Sequence, residues 1–225
     1  MGQIEMKQIK IILITLLMTL TVHAGWKPLK SLDHYGPKSF TLKTGVAYVE
    51  IRTYKEDIYA YASEISRRKN ETVVFKMYRH PLSYFGSTVK RTFESLPGKK
   101  KFAFMKYGNS GIGRSIEWYN NGFMIDDQGK QWRLENVQDV IEMVKPIDTP
   151  AELMLVFWLK GGKQKNTTYR KIGSGYVIRE HYTAIDGPDC GDYTFEYKVN
   201  RLGKMSKKKL IKFKKSKLQC DLGGE

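Results

Sequence analysis

Residues capable of chemistry crowd into one stretch, HYTAIDGPDCGD, which brings His181, Asp186, Asp189, Cys190 and Asp192 within twelve residues. Two chemistries would use such a set. A thiolate at Cys190 with His181 as its base would be a nucleophile, and carboxylate oxygens at this spacing could surround Ca²⁺. The acids do not follow the calcium-loop pattern, however, and Gly-Pro and Cys-Gly are ordinary turn pairs. The chain has one other cysteine, Cys220, and an even count in an oxidising compartment argues for a disulfide between Cys190 and Cys220.

Other motifs are thinner. GNSGIG, residues 108 to 113, looks like a serine nucleophile loop, but the elbow needs glycine where Ile112 stands, so a hairpin loop is expected. DDQG at Asp126 to Gly129 reads as a hairpin turn. His34, His80 and His181 are scattered, and with neither HExxH nor CxxC nothing local supports zinc catalysis. Glu117, Glu135 and Glu142 could serve as acid and base only if folding gathered them. Asn70 and Asn166 begin triplets of the glycosylation acceptor type. No cofactor is implied. An enzyme reading therefore reduces to a secreted hydrolase whose site is assembled around His181, with His80 and Asp186 as further members.

The C-terminal run MSKKKLIKFKKSKLQCD is chemistry of another kind. From Lys198 to Lys217 there are nine lysines, one arginine and no acid. Such a field attracts polyanions and negatively charged membrane faces, with strong salt dependence. Lys207, Lys208, Lys209, Lys212, Lys214 and Lys215 are the candidate binding charges. Lysines also protect an exposed edge strand from aggregation, and the alternation of Ile211 and Phe213 with Lys212 and Lys214 lets one face pack while the other is solvated. Apart from Phe213 no base-stacking aromatic is interleaved, which argues against nucleic acid. The partners that fit are an anionic envelope polymer, a membrane surface or another protein. Oligomeric state is left open.

Compartment follows from the N-terminus. Lys7 and Lys10 precede the apolar run IILITLLMTLTV, and VHA precedes Gly25, the order of a secretory signal with cleavage after Ala24. The run is too short to span a bilayer, which takes roughly 20 residues, so residues 1 to 24 are expected to leave and no transmembrane span to remain. The product would be periplasmic or secreted. Loss of Lys7, Lys10 and Glu5 lowers the net charge from +16 to +15.

The elements that must position these residues are mostly strands. GVAYVEIRTY alternates with period 2, TVVFKMYRH reads as a second strand, and KFAFMKY as another. KEDIYAYASEIS fits a helix face or an answering strand. PLSYFGSTVKRTFESL favours a helix ended by Pro97 and Gly98. SIEWY, NNG, FMID, DQGK and QWRL read as a meander with turns at Asn-Gly and Gln-Gly. NVQDVIEMV and TPAELMLVFWLKGG are helices; the second has Thr149 as N-cap, Pro150 in its first turn, Glu152 three residues after the cap and an apolar interior that should be buried all round. DYTFEYKVN and the lysine-rich run then form a hairpin across RLGK, with the cysteines near its open end and a few residues out of register. The expected fold is α+β, mainly antiparallel sheet with two or three helices, in a single domain over residues 25 to 225 with a sub-boundary available at 145 to 150.

Overall fold

The computed structural model describes residues 25–59, 66–95, 105–111, 114–184 and 190–215. Residues 1 to 24, expected as a signal, and Asp186, Asp189, Pro97, Gly98, Phe102, Phe104, Lys217 and Cys220 lie outside them. Strands in chain order are β1 (Lys27–Pro28), β2 (Val46–Tyr59), β3 (Ser66–Tyr78), β4 (Met105–Gly111), β5 (Arg114–Asp126), β6 (Gln131–Leu134), β7 (Thr167–Ile172), β8 (Gly175–Ala184), β9 (Gly191–Val199) and β10 (Lys209–Lys215). Helices are α1 (Gly86–Glu94), α2 (Val137–Val144) and α3 (Pro150–Leu159).

All pairings are antiparallel, and they make two sheets. The first runs β3-β2-β5-β4. β6 also pairs with β5, at residues 122 to 125, while β4 takes residues 114 to 120 of the same edge. The second runs β1-β7-β8-β9-β10, so β10 is an edge strand among the described residues.

α3 lies between the sheets, which is why its sequence has no polar face. Every residue from Ala151 to Leu159 is buried. Trp158 meets Phe75 of β3 edge-on at 6.0 Å, and Phe157 meets Tyr197 of β9 at 5.2 Å. Each fully buried Leu, Val or Phe here is worth about 1.5–3 kcal/mol. The helix start is specified as its sequence implies: Thr149 and Glu152 form a reciprocal capping box. Glu152 is fully buried, yet its carboxylate accepts backbone N–H bonds from Thr41, Asp148 and Thr149 at 2.8, 2.8 and 2.9 Å. A buried charge at a helix N-terminus with three donors is well solvated by the protein itself. α2 has its own capping box, from Asn136 and Asp139.

The segment before β2 is pinned to the core: Leu29, Leu32 and Phe40 belong to the same buried cluster as α3. That cluster draws residues from both sides of 145 to 150. The turn at Asn200 to Lys204 packs back on it, because Gly203, with φ +74, sits where a Cβ would be 2.5 Å from a methyl of Ile141. A second, smaller cluster of Tyr48, Phe93, Phe123 and Ile125 lies under α1 on the other face of the first sheet.

Several expectations give way to the pairing. Asn120-Asn121-Gly122, read as a turn, lies in mid-strand, because β2 pairs with β5 along its whole length and sets Thr53, Arg52 and Ile51 opposite these residues. Asn120 accepts a hydrogen bond from Thr53, and both asparagines are fully buried. Lys55, Glu56 and Asp57 do not link two elements; they pair with Asn70, Lys69 and Arg68 inside one long ribbon. β3 starts six residues before the expected Thr72. The single helix expected from Pro81 splits into a 3₁₀ turn at Leu82–Phe85 and α1. Gly108 to Gly111 belongs to β4 rather than to a loop. The DQGK turn and both later helices stand where expected.

Candidate functional site

In the last hairpin Val199 bridges Met205, Lys209 pairs with Glu196, and after a shift at Ile211 the pairs are Lys212 with Thr194 and Lys214 with Asp192. β8 continues each row: Arg179 stands beside Glu196, His181 beside Thr194 and Thr183 beside Asp192. Alternation along a strand keeps residues two apart on one face. Three rows therefore cross three strands on the face turned away from α3: Arg179-Glu196-Lys209, His181-Thr194-Lys212 and Thr183-Asp192-Lys214.

The β8 and β9 members of each row hold one another. Arg179 Nε donates to Glu196 Oε2 at 3.3 Å, His181 Nδ1 lies 3.1 Å from Thr194 Oγ1, and Thr183 Oγ1 donates to Asp192 Oδ1 at 2.8 Å. The Arg179 guanidinium is also seated 4.0 Å over the ring of Trp26, with Arg170 at 4.9 Å. Lys209, Lys212 and Lys214 have no carboxylate within ion-pair distance among the described residues. Together the rows hold four cations against two carboxylates that are already engaged. An open cleft of about 610 Å³ is lined by Arg179, His181, Thr183, Asp192, Thr194, Lys212 and Lys214 together with Tyr182, Tyr193 and Ile211, while Lys209 lies outside its lining.

The opposite face of the same strands is different. Tyr182, Tyr193 and Phe213 form a row with ring centroids 6.2 and 4.7 Å apart. Beside it, Glu180 is buried and accepts from the Tyr197 hydroxyl at 2.8 Å and from the Lys163 backbone N–H at 3.0 Å. Lys208 belongs here: its Nζ lies 3.7 Å over the Phe195 ring and 3.8 Å from Glu180. The structure thus divides the candidate charges. Lys209, Lys212 and Lys214 share the polar face, Lys208 serves the aromatic one, Lys207 precedes the strand, and Lys215 pairs with Gly191.

β10 departs from expectation in burial. All seven of its residues are exposed, including Leu210, Ile211 and Phe213, so neither face is buried, although Phe213 still lies against the Tyr193 ring. The buried cluster around α3 takes in Ile178 and Tyr197, with Phe195 packed against it, and β10 contributes nothing to it. Cys190 is buried next to Gly191, which approaches the backbone of Lys214 and Lys215 too closely to tolerate a side chain. Its expected partner Cys220 is outside the described residues, so the disulfide stays an expectation.

His181 is not brought to Cys190 or His80. It meets Thr194, while His80 stacks on Tyr84 at 4.3 Å beyond the end of β3, in the other sheet. Asp192 contacts Thr183 rather than His181. Among the described residues no group of three or more His, Cys, Asp or Glu could hold a metal ion, and no helix is long and apolar enough to cross a membrane. Arg179, Thr183, Thr194 and Trp26 escaped the sequence reading, and Asp192 was considered there only as a calcium ligand. The alternation of Arg179, His181 and Thr183 against Asp192, Thr194 and Glu196 was visible, but not its register. Compared with known proteins, the chain matches no family model, no curated protein and no solved structure.

Proposed function

We propose that this is an exported, non-catalytic protein that binds an anionic component of the cell envelope through the polar face of β8, β9 and β10. The observation that carries the reading is the set of three lysines, Lys209, Lys212 and Lys214, that continue the rows of Arg179, His181 and Thr183 on one face with no carboxylate within ion-pair distance among the described residues, Lys212 and Lys214 lining the open cleft with Arg179 and His181. Lysines that only keep an edge strand soluble have no need of a shared face or of a neighbouring guanidinium held in place by Trp26. A row of cations about two residues apart on a strand, near 7 Å, suits a polymer or surface carrying repeated negative charge.

The test is retention of residues 25 to 225 on immobilised dextran sulfate across a salt titration, beside a Lys209→Gln/Lys212→Gln/Lys214→Gln variant. At about 1 kcal/mol per lysine near an anionic surface, the variant should lose on the order of 100-fold in affinity, and its salt dependence should be shallower. Equal retention of the two proteins would overturn the reading.

A further inference from the structure

The polar cleft leaves unexplained why the strand that carries the lysines also exposes large apolar side chains. Leu210, Ile211 and Phe213 are 50%, 38% and 42% exposed, and Tyr182, at the far end of the Phe213 row, is 40% exposed. The shift in pairing at Ile211 takes that residue out of the alternation, and it reaches the cleft on the polar face, while Phe213 lies in the aromatic row. The edge is therefore apolar on both sides. Cations border it: Lys163 Nζ lies 3.6 Å over the Tyr182 ring and Lys208 Nζ 3.7 Å over Phe195, with Lys209, Lys212, Lys214 and Lys215 along the strand itself.

A second copy pairing edge to edge is a poor occupant. Antiparallel pairing of β10 with its twin would set lysines opposite lysines, which is unfavourable in a sheet. A soluble polyanion would satisfy the lysines and leave Leu210, Ile211 and Phe213 in water. An anionic bilayer satisfies both: aromatic rings rest at the headgroup level, short apolar side chains dip below it, and lysine stems lie along the apolar surface with their ammonium groups among the phosphates.

We infer that β10 docks edge-on to an anionic membrane surface, inserting Leu210, Ile211 and Phe213 into the interfacial layer while Lys208, Lys209, Lys212 and Lys214 hold headgroup phosphates. The inference rests on the anionic-partner reading above and names its source as lipid.

The experiment compares residues 25 to 225, the Lys209→Gln/Lys212→Gln/Lys214→Gln variant and a Leu210→Ser/Phe213→Ser variant by sedimentation with vesicles of phosphatidylglycerol in phosphatidylcholine, and on dextran sulfate. The serine variant should bind vesicles about tenfold or more weakly while keeping its dextran sulfate affinity. The glutamine variant should lose both. Equal vesicle binding by the serine variant and the parent would overturn insertion and leave the polyanion reading standing. Loss of neither ligand in the glutamine variant would overturn both. Selective capture of an acidic polypeptide, with no vesicle binding, would overturn the lipid. Should the serine variant misfold, Phe213→Trp in the otherwise native chain decides the matter: its emission should shift to shorter wavelength with phosphatidylglycerol vesicles and stay unchanged with dextran sulfate. No shift with vesicles overturns insertion.

Discussion

Two buried phenols, Tyr48 and Tyr197, each donate to a buried carboxylate. Tyr48 Oη is 2.5 Å from Glu50 Oε2, and Glu50 in turn accepts from Arg52 Nε at 2.5 Å; Tyr197 Oη is 2.8 Å from Glu180 Oε2. Burial first, and the accepting carboxylate second, pushes both phenols well above the ordinary tyrosine value. In the unfolded chain they ionise near pH 10. The native state therefore holds protons that the unfolded state has lost, and stability, full below about pH 10, falls as pH rises toward the raised native values. Urea midpoints measured at alkaline pH should decline less steeply for Tyr48→Phe and Tyr197→Phe than for the parent. At neutral pH each change should cost about 1.5–3 kcal/mol, the worth of a hydrogen bond to a charged group. A steeper alkaline decline in the variants would contradict this account. The guanidinium of Arg52 reaches further, to the carbonyl oxygens of Phe93 and Glu94 at 3.2 and 3.3 Å, so one buried ion pair also ties the end of α1 to β2.

Among the elements, α3 bears most on stability because it is the layer both sheets share. Phe157→Ala would remove the ring that meets Tyr197 and would open space beside Gly162, whose backbone lies against that ring. A loss of about 3–5 kcal/mol is expected from thermal or urea unfolding. Thr149→Ala removes one half of the capping box and should cost about 1 kcal/mol. β10 should behave in the opposite way. Since all of its side chains are exposed and only Phe213 has a cross-strand ring partner, Tyr193, Leu210→Ser/Phe213→Ser should change stability by about 1 kcal/mol or less per site, whatever it does to binding. A large loss there would mean that the strand is part of the core. These contrasts were partly legible in advance: the apolar run with Thr149, Pro150 and Glu152 announces a buried, capped helix. The exposure of β10 was not, because Ile and Phe alternating with Lys describe a half-buried strand equally well, and only the reach of α3 decides between them.

Charge is the property of the whole molecule. The chain carries a net +16, and ten positive charges without an acid fall between Lys198 and Lys217. Self-repulsion of such a segment is relieved by salt. The parent protein should gain stability as sodium chloride rises from low ionic strength, and the Lys209→Gln/Lys212→Gln/Lys214→Gln variant should gain less; thermal midpoints in parallel salt series check this, and an equal gain would place the repulsion elsewhere. What the amino-acid order determined alone is what depends on near neighbours: the periodicity of α2, the capping box and unbroken apolar run of α3, the DQGK turn, the β9 to β10 hairpin and the lysine density of its second strand. Tertiary structure decided whatever depends on which strand lies beside which. It carried Asn120-Asn121-Gly122 through a turn signal into the middle of β5, because pairing with β2 outweighs a local preference. It also sorted the lysines, placing Lys209, Lys212 and Lys214 in the rows of Arg179, His181 and Thr183, across β9 from them, and sending Lys208 to the aromatic face. A side chain's face reverses with every one-residue shift in register, and the register of the last hairpin shifts at Ile211 through partners that no local pattern encodes.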